Sequence, residues 1–245
     1  MHARTCCALT ILLLFPAHSR ADTSCADPAQ LAHVGVSIMR YFDEAEPGVK
    51  PDVVGIRGTA WFLSPTIIVT AGHVADAMRL STQDWKPIEI ADGDHRESIP
   101  ARIQRLVGAQ PEKLAVIELE APVSGTRSVA IRMAPLVPDE KVVTFANPDG
   151  HPRLVNGRFV QFGDGKLAGA ALLEMFEGDD RLAVYRGASG APVLDCEGRV
   201  TAIVSFVFTQ TLSWASREIR ISTAWGTPNV VSVPVTALQA WSKAD

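Results

Sequence analysis

Short runs of β-branched and aromatic residues, separated by turn residues, dominate the chain after residue 33. Turn residues such as Ser64-Pro65 and Asp92-Gly93-Asp94 interrupt these runs. Runs of this length and composition are typical of β-strands. Six of them precede residue 120 and predict a first closed antiparallel unit: Val34 to Met39, Val54 to Leu63, Ile67 to Thr70, Pro87 to Ala91, Ile99 to Val107 and Leu114 to Leu119.

A second set of strand-like runs follows a Pro-rich stretch between Ala121 and Pro138 that lacks regular alternation. We interpret that stretch as the crossing between two halves. Only Thr236 to Lys243 has helical spacing, with Leu238 and Trp241 as its apolar positions. The pattern therefore predicts an all-β chain of two β-barrels, residues 22–124 and 125–245, with a short terminal helix. The second set comprises Lys141 to Phe145, Arg153 to Phe162, Ala170 to Phe176, Leu182 to Arg186, Ala191 to Leu194, Val200 to Phe208 and Val230 to Val235, with a hairpin turn at Asp195 to Gly198.

The N-terminus has the three regions of a secretory signal peptide. A charged start is followed by an apolar run from Cys6 to Pro16 and by the small-residue segment Ser19-Arg20-Ala21. We predict cleavage after Ala21, with residues 1–21 as the signal peptide and a secreted or periplasmic product. The apolar run is too short to be a membrane anchor, which needs roughly 20 residues.

Cysteine usage agrees with export. After cleavage only Cys25 and Cys196 remain, and in an oxidising compartment they would form one disulfide. Two separate thiols are the other interpretation, because the sequence does not show the Cα spacing that a bridge requires. A lipid anchor at Cys25 is disfavoured, since Asp22 stands where the attachment motif has an aliphatic residue.

Composition and charge limit the classes of partner. A chain of 245 residues with 47% hydrophobic content can fill substantial cores. Its formal net charge of -4 becomes -6 when Arg4 and Arg20 leave with the signal peptide, and no basic stripe for nucleic acid remains. The sequence has no His-Glu-x-x-His, no Cys-x-x-Cys pair, no P-loop and no EF-hand loop, so we expect neither a metal nor a cofactor. The oligomeric state stays open.

Two small-residue motifs contain the candidate chemistry. Thr70-Ala71-Gly72-His73 ends a strand, and Gly187-Ala188-Ser189-Gly190-Ala191-Pro192 lies between strand-like segments. A serine hydroxyl is a poor nucleophile unless an imidazole removes its proton, which makes Ser189 and His73 a candidate nucleophile and base. The glycines let backbone amides approach a developing oxyanion closely.

Chain order excludes two other hydrolase classes. An α/β-hydrolase needs Gly-x-Ser-x-Gly with its histidine after the serine, but residue 191 is alanine and the last histidine is His151. The subtilisin order would take its acid from Asp43 or Asp52. It requires a parallel α/β sheet, which this strand-dominated pattern does not supply.

With both motifs in this order, the chain resembles the trypsin-like, chymotrypsin-fold serine peptidases of the bacterial secreted type. The resemblance covers nearly the whole mature chain and implies two antiparallel six-stranded β-barrels with a short C-terminal helix. It implies an exported serine endopeptidase that acts on peptides or proteins in the cleft between the barrels. His73 would be the base and Ser189 the nucleophile, with the Gly187 and Ser189 amides as the oxyanion hole.

The third member of the family's triad is missing from its usual place. The family has an aspartate in the pattern Asp-Leu-Ala-Val, and this chain has Lys113 at the start of Lys-Leu-Ala-Val. Glu112 is the candidate acid if a bulge turns its carboxylate toward His73. Asp76, three residues after His73, would need an unusual turn. Without an acid the site is either a Ser–His dyad or a catalytically silent protein that binds peptides or a partner through the same cleft.

The resemblance also indicates substrate preference and mode of activation. Ala183 falls at the base of the primary specificity pocket, and Ser205-Phe206-Val207 forms the strand that pairs with the substrate backbone. An apolar base lacks the carboxylate that attracts Arg or Lys, and Val207 narrows the pocket, so we expect small or medium apolar side chains. Ala188 stands where digestive members have an aspartate that pairs with a newly cut N-terminus, so we expect no activation by such a cut.

Overall fold

The first six strands close into an antiparallel barrel, as the hydrophobic pattern predicts. The structure is a computed structural model, and it describes residues 31, 33–43, 46–108, 113–146, 153–177, 181–182, 187–207, 210–214, 217–221 and 228–239. The predicted signal peptide lies outside these residues. The strands of this barrel are β1 Val36–Tyr41, β2 Gly55–Ser64, β3 Ile67–Ala71, β4 Lys86–Asp92, β5 His95–Val107 and β6 Leu114–Leu119. Their order around the barrel is β1-β2-β3-β6-β5-β4, closed by pairing of β1 with β4.

A second six-stranded ring forms the other half of the chain. The strands of this half are β7 Lys141–Ala146, β8 Arg153–Phe162, β9 Ala171–Glu177, β10 Arg181–Leu182, β11 Pro192–Leu194, β12 Val200–Val207, β13 Gln210–Trp214, β14 Arg217–Ile221 and β15 Val230–Pro234. The order around the ring is β9-β15-β12-β11-β7-β8, closed by pairing of β8 with β9, and β10 extends the sheet beside β9. Strands β13 and β14 pair only with each other among the described strands.

Central strands bury both faces, because one face lines a barrel and the other packs between the two barrels. On β3, Ile68 belongs to the interior of the first barrel, while Val69 belongs to the cluster between the barrels. On β11, Val193 lines the second barrel and Leu194 enters the same inter-barrel cluster. Successive residues of a strand point to opposite faces, so the continuous apolar runs follow from this two-sided burial. The barrels are held together by a shared apolar core.

The segment between the barrels is tied to the hairpin that follows Ser189. The Arg132 amide donates to the Val200 carbonyl at 2.8 Å, and the Val200 amide donates to Ala130. The Arg132 guanidinium bonds Glu140, which raises its pKa above the ordinary value, and lies 3.6 Å from the buried Asp195 carboxylate. This segment therefore anchors β11 and β12 from outside the second barrel.

The C-terminal segment seals the cluster between the barrels with a short helical turn. A 3-10 helix spans Val235–Leu238, and both of its end residues are buried in that cluster. The predicted helix over Thr236 to Lys243 therefore begins as a 3-10 turn, and residues 240–245, including Trp241, lie outside the described residues. Within the ranges that the structure describes, no helix has both the length and the apolar character to span a bilayer.

Candidate active site

His73 lies on a short helix that begins where β3 ends. This helix, α1 Gly72–Ala77, buries Val74 and Ala75 and leaves His73 exposed. The Gly72 amide donates to the Lys113 carbonyl at 2.7 Å, which extends the pairing of β3 with β6. A Cβ at Gly58 on β2 would lie 2.5 Å from Val74 Cγ1, so a side chain there would displace the helix. The lack of side chains at Gly58 and Gly72 therefore lets α1 pack closely against the neighbouring strands, with His73 exposed to solvent.

Ser189 lies in a tight turn whose two glycines have left-handed backbone angles. The φ angle is +97° at Gly187 and +92° at Gly190, values that residues with a Cβ rarely adopt. The Ala191 amide closes the turn by donating to the Ala188 carbonyl at 2.9 Å. Ala188 is buried, while Ser189 is half-buried. Glycine at both positions is therefore what permits this loop to form.

The loop carrying Ser189 rests directly on the first barrel. The Thr59 amide donates to the Ser189 carbonyl at 2.9 Å, and the Thr59 hydroxyl donates to the Gly187 carbonyl at 2.7 Å. A Cβ at Gly190 would lie only 2.2 Å from Thr70 Oγ1 and 1.9 Å from the Thr59 carbonyl oxygen. Thr70 precedes His73 by three residues. The two motifs, far apart in sequence, therefore meet at the boundary between the barrels.

The Ser189 hydroxyl points toward the second barrel in this structure. It donates to the Ser205 carbonyl at 2.9 Å, and no hydrogen bond joins it to His73 among the described residues. The pairing register of β12 with β15 shifts between Val204 and Phe206, which marks a bulge at the buried Ser205. Rotation about χ1 moves a hydroxyl between staggered positions, and catalytic hydrogen bonds often form only when substrate is bound.

The Gly187 and Ser189 amides are the two backbone donors predicted to form an oxyanion hole. In the part of the chain that the structure describes, neither the Gly187 amide nor the Ser189 amide donates to a backbone carbonyl. Backbone donors in folded proteins are nearly always paired, so an amide with no acceptor among the described residues is a place where a ligand can supply one. A substrate oxyanion would be such an acceptor.

Lys113, which the sequence motif predicts at the position of a triad acid, lies directly before β6. Ala71 pairs with Leu114, and the next residues along, Gly72 and Lys113, face each other across the two strands. A Cβ at Gly72 would come within 3.1 Å of Lys113 Cβ, so this half-buried side chain starts beside the helix that carries His73. Its ammonium forms no ion pair with any residue in the described ranges.

Neither candidate acid contacts His73 in the described part of the structure. Glu112 lies outside the described residues, so its role stays a prediction. Asp76 is exposed and lines a surface pocket with Glu46, Arg79 and Asp84. No hydrogen bond joins Asp76 to His73 among the described side chains. The carboxylate expected behind the imidazole is therefore not supplied by Asp76.

The remaining predicted residues are placed only in part. Phe206 is half-buried and packs against Ala170, Leu172 and Val231. Val207 ends β12 opposite Val230, and Cys196 lies in the turn after β11. Ala183, Cys25 and the side chain of Val207 lie outside the described residues, so the pocket base and the disulfide stay predictions. Within the described ranges, no cluster of His, Cys, Asp or Glu side chains is arranged to hold a metal ion.

Thr59 is a functional candidate that no sequence motif marks. It is a fully buried polar residue within the otherwise apolar centre of β2, between Gly58 and Ala60. A buried hydroxyl requires a partner, so its position in an apolar strand is a signal for a buried contact. Its partner is 128 residues away along the chain and has no local sequence signature.

Comparisons with known proteins agree with this geometry. A family model described as a trypsin-like peptidase domain matches residues 58–203. No curated protein matches the sequence. The active form of the Rv3671c protease from M. tuberculosis is similar to this chain, with a TM-score of 0.56, 15% identity and coverage of 86% of this chain and 80% of that one. An inactive form of the Rv3671c protease gives a TM-score of 0.56, 14% identity and coverage of 89% and 91%.

Proposed function

Because this chain belongs to the trypsin-like peptidase family, we propose that it is an exported serine endopeptidase with Ser189 as nucleophile and His73 as general base. The observation that carries the proposal is the docking of the Ser189 loop on Thr59, with Gly190 against Thr70. This contact holds the nucleophile beside the end of the strand that leads into His73. Family membership supports peptide-bond hydrolysis by a serine peptidase.

The proposed reaction follows from the groups at the site. His73 removes the proton from Ser189 Oγ as that oxygen attacks the carbonyl carbon of the substrate. The Gly187 and Ser189 amides stabilise the negative charge that develops on the carbonyl oxygen. His73 then donates the proton to the leaving amine, and the C–N bond breaks. Water deprotonated by His73 hydrolyses the acyl-enzyme and restores the serine.

We infer that Ser189 and His73 act as a pair without an orienting carboxylate at position 113. The side chain that starts beside Gly72 is a lysine, and a cation there opposes formation of the imidazolium. A second arrangement keeps Glu112 as the acid and requires a bulge before β6, because neighbouring residues of a regular strand point to opposite faces. The pair predicts a slow peptidase, and Glu112 predicts a faster one.

Two observations favour a catalytically silent protein as the second candidate function. The Ser189 hydroxyl donates to the Ser205 carbonyl, and Lys113 occupies the position predicted for the acid that would orient His73. A protein of this kind would bind peptides along the same cleft without cleaving them. Peptide hydrolysis that depends on Ser189 decides between the two functions.

Cleavage of a peptide library tests both the function and its specificity. We expect cleavage after small or medium apolar residues, because Ala183 at the predicted pocket base is apolar and Val207 is predicted to narrow the pocket. The cleaved products are identified by mass spectrometry, with the Ser189→Ala variant as the control. Cleavage after Arg or Lys would contradict the specificity, and products equal to those of the control would support the silent protein.

Export and the disulfide are tested together by intact mass. We expect the full chain, expressed in a bacterium with its own leader, to yield a product that starts at Asp22. Its mass should rise by about 2 Da on reduction, because a disulfide lacks two hydrogens. The Cys196→Ser variant should lose this difference. A product that retains Met1 would contradict export, and a mass unchanged by reduction would contradict the bridge between Cys25 and Cys196.

A further inference from the structure

We propose that Thr59 is a positioning residue for the oxyanion hole, through which the first barrel holds the amides of the Ser189 loop in their working orientation. The proposal rests on the proposed function, since it assigns a role within the same site. Thr59 is fully buried and uses three polar groups around the loop. Its hydroxyl donates to the Gly187 carbonyl, its amide donates to the Ser189 carbonyl, and its own carbonyl accepts from the Thr70 hydroxyl at 2.6 Å.

The two carbonyls that accept hydrogen bonds from Thr59 flank the peptide unit that carries the Ser189 amide. The Ser189 amide belongs to the unit between Ala188 and Ser189. The Gly187 carbonyl lies in the unit before it, and the Ser189 carbonyl lies in the unit after it. Fixing both neighbours restricts rotation of the unit between them, so the Ser189 N–H keeps one direction. The buried Ala188 side chain adds a third restraint on that unit.

The hydroxyl is needed because the loop is rich in glycine. Gly187 and Gly190 both have φ values that only glycine adopts readily, and glycine also rotates readily to other values. Among the described side chains, the Thr59 hydroxyl is the one from outside the loop that donates to a carbonyl of residues 187–190. Ala188 offers no carboxylate for an ion pair. The restraint on this loop therefore comes from a neutral hydroxyl and not from an ion pair at residue 188.

Thr70 supports Thr59 from the strand that leads to His73. The Thr70 hydroxyl bonds the Thr59 carbonyl, and the position of a Cβ on Gly190 would fall between these two threonines. The chain of contacts runs from β3 through Thr70 and Thr59 to Gly187. The nucleophile loop is therefore complete only when the barrels are docked, which links assembly of the two halves to assembly of the site.

The test compares two Thr59 variants with a matched threonine elsewhere. Thr59→Val removes the hydroxyl and keeps the shape and the backbone amide, while Thr59→Ser keeps the hydroxyl. Thr201→Val is the control, because Thr201 is also buried and donates to a backbone carbonyl, that of Val193 at 3.0 Å, outside the loop. Kinetics use a peptide ester cleaved by the wild type, with kcat and KM measured separately.

We expect Thr59→Val to lower kcat by about 10- to 100-fold with KM changed less than about threefold, because an oxyanion hole acts on the transition state. Thr59→Ser and Thr201→Val should both stay within about threefold of the wild type. Equal losses in Thr59→Val and Thr201→Val would overturn the proposal, since the effect would then be one of general stability. An equal loss in Thr59→Ser would overturn it as well, since packing of the methyl group would be responsible.

A second readout does not depend on activity. Exchange of the Gly190 and Ala191 amides, which donate to the Val204 and Ala188 carbonyls, should be about tenfold faster in Thr59→Val than in the wild type and unchanged in Thr201→Val, because the hydroxyl bond limits local opening of the loop. If the wild type hydrolyses no substrate, the proposed function fails and exchange alone decides the role of Thr59. Unchanged exchange in Thr59→Val would overturn the proposal in either case.

Discussion

Replacing Lys113 with aspartate is expected to raise kcat/KM for peptide hydrolysis by about 10²-fold, because the acid of such a triad contributes about 10⁴ when its surroundings are optimised. The Lys113 side chain starts beside Gly72, so a carboxylate there would lie next to the helix that carries His73. The same change removes a cation that opposes the imidazolium and adds an anion that stabilises and orients it. Steady-state kinetics with the preferred library peptide measure the effect.

Two further variants separate the contributions of charge and carboxylate. Lys113→Gln removes the cation without adding an acid, and we expect a rise of less than about tenfold. Glu112→Gln should change kcat/KM by less than about threefold if Ser189 and His73 work as a pair. A large loss in Glu112→Gln would identify Glu112 as the acid. A Lys113→Asp variant no faster than Lys113→Gln would contradict the placement of position 113 behind His73.

Loss of His73 is expected to reduce kcat by about 10²-fold in the wild-type chain and by about 10⁴-fold in the Lys113→Asp background. The imidazole activates Ser189, and its contribution to kcat increases when a carboxylate orients it. His73→Ala, Ser189→Ala and the double variant should fall to the same residual rate, because the two residues act as a unit. His95→Ala is the control, since His95 is exposed at the first position of β5.

Additive losses in the double variant would contradict this pairing. So would a His73→Ala variant that retains wild-type kcat, since Ser189 would then be activated by another group. The comparison uses initial rates at saturating substrate, where changes in binding do not contribute. Thermal unfolding of each variant checks that the exposed His73 contributes little to stability.

Much of the fold was predictable because buried strands appear in this sequence as short apolar runs. The run Leu114–Leu119 and the run Arg153–Phe162 match β6 and β8 residue for residue. Both strands are bounded by residues that break the apolar pattern. The hairpin of β13 and β14 was not predicted. Its strands are joined by Ala215 and Ser216, which lack the glycine, asparagine or aspartate that marks a two-residue turn.

The candidate site was predictable where chemistry is local and not where it depends on distant contacts. The motifs around His73 and Ser189 indicate a base and a nucleophile, because each needs small neighbours within a few residues. The bond from Thr59 to Gly187 and the bond from Ser189 to the Ser205 carbonyl join residues 128 and 16 positions apart. Such contacts depend on how the barrels dock and on the bulge at Ser205, and neither has a short sequence pattern.

Covalent labelling with a fluorophosphonate tests most directly whether Ser189 is an activated nucleophile. The reagent phosphonylates a serine that a neighbouring base activates and whose loop stabilises the developing charge. The purified mature protein should be labelled at Ser189, as mapped by mass spectrometry, and the Ser189→Ala variant should remain unlabelled. A wild-type protein that takes up no more label than Ser189→Ala would contradict the proposed peptidase function and leave the silent peptide-binding protein as the function.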